Sequence, residues 1–329
     1  MAQKWYKHLT KPIRQARARL EEKKWAPGEK SYGSDNPDRT FYLIRSRFDT
    51  WGLIACYNHV LGHIKLALDQ GMIPVVDMKY YPNTYLDPEK LGRENSWEYY
   101  FHQPSDYTLE EVYQSRHVFL MDGMPPKEAH PRGQGKLYLQ GEREKNRDEI
   151  ARNSRIIREH MGIRDDVMAH IDEQYAALFP EGEKVLGVLC RGTDISLRRP
   201  AGHSVMPTAE EMIRRTEELM EKWGCGRVFL TTEQEEAVEE FRQAFGDRLC
   251  YTRCVRYGNT GDQLLANIQF DRENDRYLRG LEYLTNIVLL SRCDCLLGVY
   301  VGGTTGAMEM NGGAYEHVEV MDLGVYPLA

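Results

Sequence analysis

The chain of 329 residues has no long apolar run. Its longest stretch free of Asp, Glu, Lys and Arg is Thr50 to Ile64, 15 residues, short of the roughly 20 that a membrane helix needs. No apolar segment follows the first Met, so no secretory signal is expected. Cysteine is sparse, seven residues with no Cys-x-x-Cys spacing. An odd number in a long chain reads as a reducing, cytoplasmic setting, with thiols used as small core side chains. There is no Gly-Lys-Ser/Thr, no Gly-x-Gly-x-x-Gly and no Gly-x-Ser-x-Gly, which argues against a Walker loop, a dinucleotide fingerprint and a nucleophile elbow. No Asp-x-Asp lies between a strand and a loop, so the expected site works without a metal and no cofactor is implied. Basic excess is missing too: 43 Lys and Arg stand against 50 Asp and Glu, a net charge of −7, unlike a nucleic-acid-binding protein.

What is present is globular. Hydrophobic residues make up 41% and charged residues 28%, enough to build a core, and at ~150 residues per domain the length suits about two domains. Residues 1–24 carry a net +6, leaving −13 for the remainder. Thr10 suits an N-cap, with Pro12 in the first turn and Trp5, Leu9, Ile13 and Leu20 able to share one face. Such a helix either packs on a domain or lies on an anionic membrane surface at the inner face. Ala26–Arg39 reads as a linker.

Two α/β series come next. Phe41–Arg45 reads as a strand, Ala55 to Gln70 as a helix ended by Gly71, and Ile73–Asp77 as a second strand. That is a right-handed βαβ unit with a parallel pair. Tyr80–Tyr113 is an excursion with seven Tyr, Trp97 and Phe101, either loop packing or a binding surface. Val118–Met121 is a further strand, and 141–159 and 165–178 are charged helices. The second series has strands at 185–190, 227–231, 249–251, 295–300 and 317–323. Its helices are at 208–223 with a Thr208/Glu211 capping box, 233–245, 283–291 and from 306 onward. The expected division is 1–36 (basic helix and linker), 37–180 (first α/β domain) and 181–329 (second α/β domain). The expected fold is α/β, two Rossmann-like domains facing each other across a cleft, with ligands outside the carboxyl ends of strands.

Three strand ends could carry chemistry. Cys190-Arg191-Gly192-Thr193-Asp194 succeeds a buried-type strand. The Arg191 fork suits a pair of phosphate oxygens, Gly192 allows close backbone approach, and Asp194 could orient Arg191 or accept from a sugar hydroxyl. A structural Arg–Asp pair closing a turn explains the same residues. Gly302-Gly303-Thr304-Thr305-Gly306 lies between a strand and a helix. It suits an anion at a helix N-terminus, or is a tight structural turn. Thr231-Thr232-Glu233 could touch a ribose or base, or Thr could cap the next helix. Two anion-ready turns in one domain suit a diphosphate, hence a nucleotide sugar. His203 is a candidate acid/base or sugar contact. His59 and His63 have the i, i+4 spacing of metal ligands but no evident third ligand.

These residues carry a resemblance. VLGVLCRGTD (185–194) resembles the "HxRRTD/RRGD" motif of the fucosyltransferase superfamily, which holds the α-1,6-, α-1,2- and protein O-fucosyltransferases. RVFLTTEQEEAVEEF, EYLTNIVLLSRCDCLLGVYVGGTTGAMEM and WGLIACYNHVLGHIKLALDQGMIPVVD resemble three further segments of it. With YYPN and NSWEYYFHQP the chain looks most like bacterial α-1,6-fucosyltransferase-like proteins. The resemblance implies a GT-B arrangement and an inverting, metal-independent transfer from GDP-fucose to a glycan, as in polysaccharide biosynthesis. It also implies Arg191 on the β-phosphate, with Asp194 in the same motif. Departures fall at Leu189, Gly192, Ile195, Asn286 and Gly302-Gly303-Thr304, on sugar or base contacts, while the phosphate arginine is kept.

The expected enzyme is therefore a glycosyltransferase with Arg191, Asp194 and His203 as catalytic candidates. Gly192, Thr193, Thr231, Thr232, Gly302, Gly303, Thr304 and Thr305 are donor-binding candidates, and Trp97, Tyr99 and Tyr100 would stack on acceptor sugar rings. Two rivals stand: a binding protein of the same fold that has lost transfer, and an oxidoreductase using the 302–306 turn, which the missing fingerprint argues against.

Overall fold

The computed structural model describes residues 26–46, 49–126, 129, 138–139, 141–191, 199, 201–258 and 268–327. The basic segment 1–24, Gly192, Thr193, Asp194 and Ile195 lie outside them. No helix among the described residues is long and apolar enough to cross a membrane.

The first half holds β1 (Gly28–Lys30), β2 (Asp35–Arg45), helix α1 (Leu53–Asp69), β3 (Ile73–Asp77), the short α2 (Leu109–Val112) and β4 (Ser115–Met121). They form a four-stranded sheet in the order β1-β4-β2-β3. β2 pairs in parallel with β3 and with β4, and β1 runs antiparallel to β4. The β2–α1–β3 unit is the one read from the apolar pattern. The expected linker at 26–39 is overturned, because β1 and the start of β2 lie in it. Their polar residues give no alternating signal, since this sheet edge is solvated.

Helices α3 (Arg147–His160) and α4 (Asp165–Leu178) lead to the second half: β5 (Val185–Leu189), α5 (Ala209–Trp223), β6 (Arg227–Thr231), α6 (Glu235–Phe245), β7 (Leu249–Cys250), α7 (Asp275–Ser291), β8 (Cys295–Val299), α8 (Gly302–Asn311) and β9 (His317–Met321). This five-stranded sheet is parallel throughout, in the order β7-β6-β5-β8-β9. Its central strands β5 and β8 are short continuous apolar runs because both faces are covered. The capping box on α5 is formed as the sequence implies: Thr208 Oγ1 accepts from the Glu211 N–H, and Glu211 accepts from the Thr208 N–H.

The two sheets share a core. Helix α1 is buried at 13 of its 17 residues, so it is a central strut rather than a surface helix. One apolar cluster runs from Tyr42 and Val76 through α1 to Leu284, Ile287, Ala307 and Val318. The carboxyl ends of β5 and β6 are thereby held against the start of α1 and the loop after β3.

Candidate functional site

A cavity of about 190 Å³ opens at those carboxyl ends. Arg191, Thr231, Thr232 and Glu233 supply one wall from β5 and β6. Thr50, Gly52, Thr84 and Tyr85 supply another from the first half. Tyr257 and Phe270 come from the segment between β7 and α7, and Arg272, Arg279, Glu282, Tyr283 and Asn286 from the approach to α7 and from the helix itself. A recess of about 20 Å³ shares the Arg191 and Thr231–Glu233 wall and reaches Val301, which caps α8.

The cations here are not equivalent. Arg272 grips Glu282 with both terminal nitrogens, at 2.5 and 3.0 Å, and donates from Nε to Asp275 at 2.7 Å. Arg279 donates to Asp275 at 3.0 Å and to the Ile268 carbonyl. Burial pushes the Asp275 carboxyl up, but the Arg272 bond, the Phe270 N–H and Arg279 outweigh it and hold it below its ordinary value. These two arginines hold carboxylates that order the cavity wall. Arg191 is placed differently: its Nε stands 3.8 Å from Glu233 Oε2, beyond hydrogen-bond reach, with a quarter of its side chain exposed. The Tyr283 hydroxyl beside them is pushed up to about 12, chiefly by burial and further by Glu233, against an opposing pull from Arg191. It is a protonated donor at neutral pH.

Thr232 takes the structural role, its Oγ1 accepting from the Gln234 N–H at 3.2 Å. Thr231 is 6% exposed and lines the cavity. The 302–306 turn is corrected. It is not a loop before a helix but the first turn of α8, with Thr304 and Thr305 buried. Thr305 Oγ1 donates to the Gly302 carbonyl at 3.0 Å, and the Thr304 side chain packs onto the β8 backbone at Gly298. A β-carbon at Gly303 would meet Leu189 Cδ1 at 2.7 Å. Smallness here serves close packing, and Gly302, Gly303, Thr304 and Thr305 do not line the cavity.

The acceptor platform is likewise not assembled from the residues expected. Trp97 is 2% exposed, stacked on Phe101 at 4.4 Å and bonded through Nε1 to the His102 carbonyl. Tyr100 is fully buried, stacked on Tyr277 at 5.7 Å, and donates to the Tyr277 carbonyl at 2.9 Å. A β-carbon at Gly280 would sit 2.1 Å from the Tyr100 hydroxyl, so this ring joins the excursion to α7. Tyr99 is half-buried and donates to Glu94 at 2.6 Å. The excursion reaches the cavity through Thr84 and Tyr85 instead. His203 is exposed and does not line the cavity, its carbonyl accepting from the Tyr326 N–H at 2.9 Å. His59 and His63 are buried and serve protein partners: His59 Nε2 bonds the Arg45 carbonyl, while His63 accepts from the Tyr42 hydroxyl and donates to the Gly123 carbonyl.

Arg279 and Glu282 were missed because α7 starts at Asp275, eight residues before the expected helix, and Arg272, just ahead of that start, was missed with them. The signal was there. Asp275, Arg279 and Glu282 recur at helical spacing on one face, four and three residues apart.

No protein-family model and no curated protein matches the chain. Among solved structures, a NodZ α-1,6-fucosyltransferase soaked with GDP-fucose is similar over 87% of this chain and 96% of its own, at 15% identity and a TM-score of 0.51. POFUT1 in complex with GDP covers 87% of this chain and 99% of its own, at 10% identity and 0.47. A FUT1 mutant of Arabidopsis thaliana in complex with GDP covers 85% and 70%, at 9% and 0.46. The first of these establishes a shared fold.

Proposed function

We propose that the chain is a glycosyltransferase that moves a sugar, fucose from GDP-fucose, onto a hydroxyl of a glycan acceptor, with inversion and without a metal. The observation that carries this reading is Arg191 at the carboxyl end of β5, facing a cavity walled by both halves of the molecule. The shared fold with a fucosyltransferase soaked with GDP-fucose supports it. In the reaction the acceptor oxygen bonds to the sugar's anomeric carbon as the bond from that carbon to the β-phosphate oxygen breaks. The electron pair leaves with GDP and the acceptor proton is released. Negative charge grows on the diphosphate in the transition state, and a fixed guanidinium there lowers the barrier. Each charge-assisted bond from it is worth about 1.5–3 kcal/mol. Tyr283 adds a neutral donor to the same wall.

A second reading, nucleotide-sugar binding without transfer, is favoured by one observation: His203, a candidate for proton transfer, does not line the cavity. Two measurements test both. A thermal-shift panel of GDP, UDP and CDP should show stabilisation by GDP, lost in Arg191→Ala; no shift with any of the three refutes a nucleotide site. Release of GDP from GDP-fucose by the purified chain then separates transfer or hydrolysis from binding alone.

A further inference from the structure

Two side-chain oxygens on the cavity wall, Thr231 Oγ1 and Glu233 Oε2, are shielded from solvent and lack a hydrogen bond among the described residues, although Glu233 Oε2 stands in ion-pair range of Arg191 Nε at 3.8 Å. Both residues line the cavity, and Thr231 is more than nine-tenths buried. Buried polar atoms in native proteins have partners as a rule, and an exception lining an open cavity is a place where a bound molecule can supply one.

Their position says what that partner offers. β5 and β6 are parallel neighbours with Leu189 opposite Thr231, and the Cys190 N–H continues the ladder by donating to the Thr231 carbonyl at 3.0 Å. Arg191 and Glu233 each lie two residues beyond that pair. They therefore stand level, one strand apart, a step of about 4.8 Å. A carboxylate only accepts, so the group it meets must donate. A phosphate cannot take that place, because two like charges would face each other. A ribose offers two adjacent O–H donors one short linkage away from its phosphates. The chain that leaves β7, on the side of β6 away from β5, returns to bridge Gln234 at Tyr257, whose N–H donates to the Glu233 carbonyl at 2.8 Å. Its ring lies 5.2 Å from that of Phe270, and both rings line the cavity. Along the strand ends the wall thus runs guanidinium, carboxylate with hydroxyl, then aromatic rings. That is the order of diphosphate, ribose and base. In dinucleotide-binding sheets an acidic side chain on the chain beyond the phosphate turn likewise holds the ribose hydroxyls.

We propose that Glu233, assisted by Thr231, binds the 2′- and 3′-hydroxyls of the donor's ribose and so fixes the nucleotide's direction across Arg191. The inference rests on the nucleotide reading above. Calorimetry on the full chain with GDP and with 2′,3′-dideoxy-GDP tests it. The wild-type chain should bind GDP about tenfold or more tightly than the dideoxy analogue. In Glu233→Ala the preference should shrink to about threefold or less, and Thr231→Val, which keeps the side-chain shape, should shrink it in part. Equal binding of both nucleotides by the wild type overturns the proposal while leaving the nucleotide site standing. So does an unchanged preference in Glu233→Ala with both affinities lowered alike, the result of a carboxylate that serves only Arg191. Binding of neither nucleotide by the wild type removes the nucleotide reading and this inference together.

Discussion

Gly306 on α8 faces Ile54 on α1 so closely that a β-carbon on the glycine would lie 2.7 Å from Ile54 Cγ2. This contact joins a helix of the second half to the strut of the first. Gly306→Ala should cost about 1–3 kcal/mol of stability through overpacking, read as a lower urea midpoint. In an Ile54→Ala background, which lacks Cγ2, the further cost of Gly306→Ala should shrink, since the clashing methyl is gone. Additive losses in the double variant would show that the two side chains do not meet.

Arg191 and Lys differ in shape more than in charge. Arg191→Lys keeps a cation at the end of β5 but loses the paired N–H groups that match two phosphate oxygens. Affinity for GDP, measured by calorimetry at fixed salt, should fall about tenfold, and in Arg191→Ala by about 30-fold or more. A lysine variant that binds as the wild type does would mean that only the charge is used.

The strand ends at the cavity were legible because a buried parallel strand is a short apolar run, and the residues just past its carboxyl end stand on the ligand side of the sheet. Val185–Leu189 and Arg227–Thr231 could be bounded within a residue from composition alone, which placed Arg191 and Glu233. Aromatic residues misled for a physical reason. A tyrosine in a Pro- and Asn-rich stretch has the same composition whether it covers a sugar or fills the seam between α7 and the first half, and Tyr100 does the latter. Gly303 and Thr304 were ambiguous in the same way: small residues permit close approach by a phosphate or by a neighbouring helix, and only the packing decides.

Trp97 and Tyr99 should separate in their effects. Trp97→Ala removes a buried ring stacked on Phe101 and should cost about 3–5 kcal/mol. Tyr99→Ala removes a half-buried ring whose hydroxyl bonds an exposed glutamate, and should cost about 1 kcal/mol. Chemical denaturation of both variants checks this. Similar small losses would return Trp97 to the surface as an acceptor contact.

Glu309 on α8 gives a pH dependence whose sign can be worked out. It is buried, and neither carboxylate oxygen makes a hydrogen bond among the described residues. The groups acting on it are Lys65 and Tyr57 from α1 and Tyr138. Burial pushes its carboxyl from 4.5 up to about 8, against an opposing pull from Lys65. Between those two values the folded chain holds a proton that the unfolded chain has released, so stability contributed at this site falls as pH rises through the window. The loss is complete above about 8, and at neutral pH it amounts to a few kcal/mol. Glu309→Gln keeps the shape and removes the titration. The variant should melt with the wild type near pH 5, where both side chains are neutral, and above it by pH 8. Parallel melting curves across that range would mean that Glu309 is ionised in the folded chain, its charge balanced by Lys65.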